Sequence, residues 1–358
     1  MSSITQMSFQ EKSDLFLDGF VILRGIVEKS LVRRARALID QDFKKIFHFD
    51  RPDINDLYNQ SPISEILNEV MGPHTRPMNA QVAVTSPNTI DAVSRTNFDL
   101  ISVPPPKAHV DGGWAGRCPL SQTGIIASGS TLHNWGHDGD PKSMGPNGAA
   151  PLWQDPKKRL AIGSYTALVG VCLSDQLEPG KGQFAVRKGA HESVQSFFRY
   201  QRDQGGPIGG GGPDWPRLIP GTKGRAFAGS MPHAMEQSYP KIENDLRGWP
   251  WAELTPVLMK EGDVVIALHS LPHTATPNLS NDPRVNVYFR IRRLREDNPY
   301  EGDERIGWGL SDHPDRALNG DFLEYPDLYD PFEYSIEKLC DHWSEWQGLT
   351  QFLNDESV

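Results

Sequence analysis

Two short stretches, far apart in the chain, carry residue types that could bind a metal ion. His109 and Asp111 are separated by one residue, and His273 follows much later. In an extended strand residues i and i+2 point to the same side, so the His109 imidazole and the Asp111 carboxylate would share one face. Two histidines and one carboxylate on one side of an iron(II) ion leave the other coordination positions open, as in non-haem iron oxygenases. These three residues are therefore predicted to bind a metal.

A basic residue follows the second stretch. Ten residues separate His273 from Arg284, which opens the segment 284–292, where polar and apolar residues alternate. A period of two predicts a strand whose apolar residues face a core and whose polar residues share the other face. A guanidinium on that polar face can form a forked pair with a carboxylate, so Arg284 is predicted to bind an acidic ligand.

Other histidines could bind the metal instead. His269 lies four residues before His273, directly after an apolar run that fits a strand. His133 and His137 have the i, i+4 spacing of a helical metal site, but the glycines between and after them disfavour a helix, so we interpret them as loop residues. His191 is interpreted as a structural turn histidine. The residues alone leave the third ligand open.

Composition limits the partners of the protein. The chain has 358 residues and a formal net charge of −10, which argues against nucleic acid because such binding needs clustered Lys and Arg. It contains no apolar run near 18 residues, so no membrane partner is expected. Its three cysteines are widely spaced, and the first residues lack a secretory pattern, so a cytoplasmic protein with reduced thiols is predicted. No nucleophile elbow or phosphate-binding loop is present.

The elements that must position these residues are mainly short strands. Strands are predicted at 20–23, 81–85, 101–103, 164–173, 183–186, 255–259, 263–268 and 285–291. Helices are predicted at 8–18, where Ser8 and Glu11 form a capping-box pattern before Gly19, and at 28–46, 64–71 and 330–352. The fold class is therefore mainly β with flanking helices, and a double-sheet jelly roll is the economical arrangement. The terminal helices are expected to cover one sheet.

The chain is predicted to form one elaborated domain over residues 1–358. Its parts would be an N-terminal helical cover at 8–75, a jelly-roll core at 78–293 and a C-terminal helical extension at 294–358. Two insertions, at 115–160 and 203–252, are long, polar and aromatic and do not have the pattern of strands. Loops of this length usually act as lids or binding loops, so the insertions are expected to shape a substrate pocket.

Several of these stretches, in this order, resemble the phytanoyl-CoA dioxygenase (PhyH) family. The resemblance rests on the His109-x-Asp111 pair, on His273 with Arg284 after ten residues, and on the segments 18–25, 180–191 and 261–270. It covers residues 9 to 293 in patches and implies a double-stranded β-helix, the jelly-roll or cupin-like core. The spacing to Arg284 in the family pattern favours His273 over His269 as the third ligand.

The resemblance implies an Fe(II)- and 2-oxoglutarate-dependent dioxygenase. By this resemblance His109, Asp111 and His273 would hold iron, Arg284 would pair with the distal carboxylate of 2-oxoglutarate, and O2 would be the second co-substrate. The carboxylate of Asp111 argues against halogenation, so hydroxylation or another C–H oxidation of a small natural product or metabolite is expected, with release of succinate and CO2. The alternatives are a cupin-type metal enzyme that does not use 2-oxoglutarate and a catalytically silent binding protein. The oligomeric state stays open, with a homodimer as one alternative.

Overall fold

The structure is a computed structural model that describes only part of the chain. The described residues are 6–41, 47–48, 51–74, 77, 80–87, 110, 114–117, 159–162, 165–204, 254–294 and 340–354, with backbone alone at 47–48, 114–117 and 159–162. His109, Asp111, His133, His137 and the predicted strand 101–103 lie outside the described residues, as do most of both predicted insertions.

The described elements are helices near both ends of the chain and strands between them. The helices are α1 (Phe9–Asp18), α2 (Lys29–Gln41), α3 (Pro52–Asn59), α4 (Ile63–Met71), α5 (His191–Asp203) and the short α6 (Gln347–Thr350). The first strands are β1 (Phe20–Leu23), β2 (Phe47–His48), β3 (Ala80–Thr85), β4 (Trp114–Arg117), β5 (Arg159–Ile162) and β6 (Ala167–Cys172). The remaining strands are β7 (Phe184–Arg187), β8 (Leu254–Pro256), β9 (Val264–Leu268), β10 (His273–Ala275) and β11 (Arg284–Ile291). No helix among the described residues is long and apolar enough to cross a membrane.

The strands form antiparallel sheets, as predicted for a mainly β protein with flanking helices. The largest sheet has six strands in the order β1-β9-β6-β11-β3-β2. A second sheet has the order β10-β7-β8, and β4 pairs with β5. Neighbours in the six-stranded sheet are far apart in sequence, so long-range pairing, and not a series of hairpins, builds it.

The two faces of the six-stranded sheet pack against different layers. Its outer face carries apolar side chains of alternate residues, namely Val21, Leu23, Val82, Val169, Val171, Val264, Ile266, Val285, Val287, Phe289 and Ile291. These pack against residues of α1 to α4 and against Trp343, Trp346 and Leu349, so elements from both chain ends cover this face. The inner face packs against Phe184 and Val186 of β7, so the two sheets face each other.

The local signals at the N-terminus correctly predicted the start of the fold. Ser8 caps α1 in a complete capping box with Glu11, and Gly19 ends the helix with a φ of 82°, a left-handed conformation that glycine adopts without strain. The chain then enters β1 directly. Helices α2 and α4 also lie where the hydrophobic pattern predicted them, and β3, β6, β7, β8, β9 and β11 overlap the predicted strands.

Two predictions were wrong in part. Near the C-terminus one continuous helix was predicted, but after residue 340 the described chain forms only short helical pieces, because His342 and Trp346 have extended backbones with ψ of 129° and 108°. The predicted insertion 115–160 was expected to contain no strand, yet its two ends form the antiparallel pair β4 and β5. This pairing joins segments of four residues each, which are too short to show an alternating pattern.

Candidate functional site

His273 lies at the start of β10 with its ring held in one orientation. The residue pairs with Val186 of β7, and its side chain is buried beside the ring of Phe184, with the ring centroids 5.1 Å apart. Its Nδ1 is 2.9 Å from the carbonyl oxygen of Leu271. A carbonyl oxygen only accepts hydrogen bonds, so Nδ1 carries the proton and the lone pair is on Nε2. A neutral imidazole whose other nitrogen donates to a backbone carbonyl is the usual form of a metal-binding histidine.

Arg284 is a buried cation at the first position of β11. Its side chain is 4 % exposed. Nε donates a hydrogen bond to the Gly182 carbonyl at 2.7 Å, and Nη1 donates to the Ala83 carbonyl at 3.2 Å. Among the described residues no carboxylate forms an ion pair with this guanidinium. The two carbonyls orient the guanidinium, but they do not neutralise it, and a buried charge without a counter-ion is costly.

Aromatic and amide side chains connect these two positions on the inner face. The Phe184 ring, which contacts His273, also packs against Tyr288 at a centroid distance of 5.7 Å. The Tyr288 hydroxyl accepts a hydrogen bond from Asn286 Nδ2 at 3.0 Å, and Asn286 Oδ1 accepts one from Gln176 Nε2 at 2.7 Å. Asn286 is two residues after Arg284 on the same face of β11, and a chain of contacts runs from Asn286 through Tyr288 and Phe184 to His273.

Space for the Tyr288 ring comes from a glycine on the neighbouring strand. Gly170 of β6 pairs with Tyr288 of β11. A Cβ atom at residue 170 would lie 2.7 Å from Tyr288 Cε1 and 2.8 Å from a Val265 methyl carbon, closer than real side chains approach. The ring therefore lies over the backbone of β6, where any other residue would displace it.

The structure brings together two of the four predicted site residues. His273 and Arg284 both lie on the inner side of the six-stranded sheet, opposite to helices α1 to α4. His109 and Asp111 lie outside the described residues, so the predicted metal triad stays a prediction. Within the described ranges no group of three histidine, cysteine, aspartate or glutamate residues could hold a metal ion. The protonation of His273 at Nδ1 fits a metal ligand, and the charge of Arg284 fits an acidic co-substrate.

His269 is a second buried histidine near His273, directly after β9. It is 4 % exposed, and its pKa is lowered to about 3, first by burial and then by its electrostatic interaction with His273. In the sequence it stands out only as a competing metal ligand. Its surroundings come from residues distant in sequence, which no local pattern reveals.

His191 has a structural position, although it begins helix α5 and does not lie in a turn. Its Nε2 donates a hydrogen bond to the Phe16 carbonyl at 3.0 Å, and its ring packs against Trp343 with centroids 4.3 Å apart. Burial lowers its pKa to about 4. These contacts join α5 to α1 and to the C-terminal segment.

A family model supports the chemistry that the geometry indicates. The model described as phytanoyl-CoA dioxygenase (PhyH) matches residues 216–286, which include His273 and Arg284 but not His109 or Asp111. This match bears out, over residues 216–286, the resemblance seen in the sequence. None of the curated proteins matches the chain in sequence.

Solved structures with a related arrangement have low sequence identity to this chain. SnoK, a non-haem α-ketoglutarate-dependent carbocyclase from nogalamycin biosynthesis, is 14% identical with a TM-score of 0.45, and the alignment covers 89% of this chain and 94% of SnoK. HygX from Streptomyces hygroscopicus, with nickel, 2-oxoglutarate and hygromycin B bound, is 15% identical with a TM-score of 0.42, covering 84% and 94%. Another HygX structure contains iron.

Proposed function

We propose that this protein is an Fe(II)- and 2-oxoglutarate-dependent dioxygenase that oxidises an unactivated C–H bond of a small natural product or metabolite, releasing succinate and CO2. The observation that carries the proposal is the buried Arg284 guanidinium, which has carbonyl partners but no carboxylate partner among the described residues. A dicarboxylate co-substrate would supply the missing negative charge. The position of Arg284 ten residues after His273 adds support, because the family match covers both.

In this proposal His109, Asp111 and His273 would hold the iron. When bound, the iron supplies the activation of O2 and, with 2-oxoglutarate, the oxidation of the substrate. The protein's own contribution at His273 is orientation: the hydrogen bond from Nδ1 to the Leu271 carbonyl keeps the lone pair on Nε2 and fixes the ring plane.

At the other end of the site Arg284 would bind the distal carboxylate of 2-oxoglutarate. Its Nε and Nη1 are already held by two backbone carbonyls, so little side-chain freedom is lost when the carboxylate arrives. Phe184 and Tyr288 lie between this position and His273 and present apolar rings that exclude water. A desolvated guanidinium binds a carboxylate more strongly than an exposed one does.

We also infer that the two facing sheets belong to a double-stranded β-helix and that the chain forms a single domain. Support comes from the antiparallel pairing and from the order in which distant strands become neighbours. In such a core the strands β10 and β11 would carry His273 and Arg284 to one interior.

The role of Arg284 can be tested with a matched arginine on the same strand. Arg284→Ala should weaken 2-oxoglutarate binding by about 2 to 5 kcal/mol, because a buried charge pair loses one partner. Arg290 is on the same face of β11, but its guanidinium donates to Gln81 Oε1 at 3.0 Å, so Arg290→Ala should leave the affinity near that of the wild type. Anaerobic titration of the Fe(II)-loaded proteins with 2-oxoglutarate measures both. An unchanged affinity in Arg284→Ala argues against the assignment.

The reaction class has its own test. The Fe(II)-loaded protein should form succinate only when 2-oxoglutarate and O2 are both present, and mass spectrometry of screened substrates should detect a gained oxygen or lost hydrogens. Product formation without 2-oxoglutarate would indicate the cupin-type alternative. Absence of succinate with every substrate and in the uncoupled reaction would indicate a binding protein.

A further inference from the structure

His269 is fixed at the end of the six-stranded sheet, next to His273. Its backbone N–H donates to the Thr166 carbonyl at 3.1 Å, and the Leu271 N–H donates to the Leu268 carbonyl at 3.0 Å, closing a turn around it. This turn carries the chain from β9 into the short link before β10. His269 therefore lies four residues before His273 and at the same end of the sheet as the start of β6.

Aromatic rings hold the His269 side chain on two sides. The Tyr165 ring meets it edge to face, with centroids 5.8 Å apart and an interplanar angle of 85°. The Phe198 ring of α5 stacks on it at 5.7 Å and 22°. These contacts leave the imidazole 4 % exposed. The two rings set the orientation of the imidazole. They could hold a phenylalanine equally well, so packing alone does not explain why this residue is a histidine.

One of those nitrogens has an unmet hydrogen-bonding capacity. Nε2 of His269 is buried and has no hydrogen-bond partner within the described part of the protein. Buried polar atoms are normally paired, and an unpaired one costs about 1 to 3 kcal/mol. His191 also has one buried nitrogen without such a partner, Nδ1, but that ring joins α5 to α1 and the C-terminal segment, whereas His269 lies four residues before His273. A partner that arrives with a ligand would meet the capacity of His269 Nε2.

The kind of group that could pair with His269 Nε2 follows from the neutral state of the ring. The lowered pKa of His269 keeps the imidazole neutral at physiological pH, so it offers one N–H donor and one lone pair. A neutral ring in an aromatic enclosure gives a carboxylate or phosphate no countercharge. An uncharged hydroxyl can both donate and accept, so it suits either tautomer of the ring.

We propose that His269 is a substrate-binding residue whose Nε2 forms a hydrogen bond with a hydroxyl group on the substrate. The inference rests on the proposed function, because it places the substrate beside the metal that His273 would hold. It narrows the substrate class to hydroxyl-bearing molecules whose oxidised carbon lies near that hydroxyl. The residue would orient the substrate and would not bind the metal.

The test uses phenol, a small ring compound with a hydroxyl, and benzene, which lacks it. In protein labelled with 15N-histidine and loaded with Zn(II) and 2-oxoglutarate, phenol should shift the Nε2 resonance of His269, assigned by its loss in His269→Gln. Benzene at the same concentration should not, and the His191 resonance should not move with either. Equal shifts with phenol and benzene, or no shift with phenol, would overturn the inference.

A second variant separates the hydrogen bond from the packing. His269→Phe keeps an aromatic ring between Tyr165 and Phe198 but removes the nitrogen, so the Kd for phenol should rise about tenfold, the typical effect of one neutral hydrogen bond. An unchanged Kd would contradict the inference. Loss of the Fe(II)·2-oxoglutarate charge-transfer band in this variant would also contradict it, because His269 would then be a metal ligand. A wild-type protein without that band counts against the proposed function alone, since the phenol measurements use no iron.

Discussion

The two faces of strand β11 differ in what they bury. On the outer face Val285, Val287 and Phe289 pack into an apolar layer under the helices and need no hydrogen bonds. On the inner face Arg284, Asn286 and Tyr288 are also buried, yet all three are polar. One strand thus supplies apolar packing on one side and buried polar groups on the other, and a period of two residues separates the two sets.

The inner face also shows which polar groups are structural. Asn286 is fully paired with Gln176 and Tyr288 and fixes the floor of the site. The Arg284 charge and the His269 Nε2 atom lack such partners among the described residues. These are the two groups for which a ligand is proposed above.

The largest expected effect of a single change is on the outer face. Phe289 is fully buried and packs against Tyr58, with centroids 5.6 Å apart. Phe289→Ala should lower the free energy of unfolding by about 3 to 5 kcal/mol, because it leaves a cavity in the apolar layer. Urea unfolding followed by circular dichroism measures this, and the folded fraction should still bind 2-oxoglutarate with wild-type affinity. A decrease in the free energy of unfolding below about 1 kcal/mol would show that the outer face of β11 contributes little to stability.

Acid should also lower the free energy of unfolding, through protonation of His191 on the helix-covered side. The pKa of this residue is about 4 in the folded protein against an ordinary value of 6.5, so the unfolded chain takes up the proton first as the pH falls. Its contribution to stability is complete above pH 6.5 and is lost between pH 6.5 and 4, amounting to about 3 kcal/mol. Unfolding free energies measured across this range should fall less steeply in His191→Phe. Parallel pH profiles would contradict the prediction.

A smaller loss of stability is expected when one methyl group is added to the inner face. Gly170→Ala places a methyl group against the Tyr288 ring and should cost about 1 to 3 kcal/mol of stability. The matched control is the same substitution in a Tyr288→Ala background, where part of the clash is removed and the cost should be lower. The same cost in both backgrounds, measured by urea unfolding, would show that Tyr288 does not require the glycine.

Local sequence signals predicted the elements whose causes are local. The capping box at Ser8 and Glu11 specified helix α1, and the alternation from Arg284 specified β11 and which of its residues turn inward. These signals work because hydrogen bonds within one turn and side-chain direction along a strand depend on near neighbours. His273 and Arg284 were predicted from their types and spacing together with the family pattern, and both are buried in the structure.

Features with distant causes were missed. The pairing of β4 with β5 joins the ends of a long segment, and the enclosure of His269 comes from Tyr165 and Phe198, which are far from it in sequence. The C-terminal helix was predicted too long, although Trp343, Trp346 and Leu349, whose spacing fits one face of a helix, are all buried. Hydrogen bonds to Asp341, from Arg293 and from Trp346, act there alongside extended backbone at His342. Long-range contacts of this kind override local helix propensity.

The most direct test of the central claim is the visible charge-transfer band of the anaerobic Fe(II)·2-oxoglutarate complex in a set of histidine variants. The wild type should show the band, and His109→Ala and His273→Ala should lose it together with bound iron, because in the proposed function only three side chains would hold the metal. His269→Ala and His133→Ala should keep it. If His269→Ala abolishes the band while His273→Ala retains it, the assigned ligand is wrong, and the assignment of Arg284 from its spacing to His273 is wrong with it.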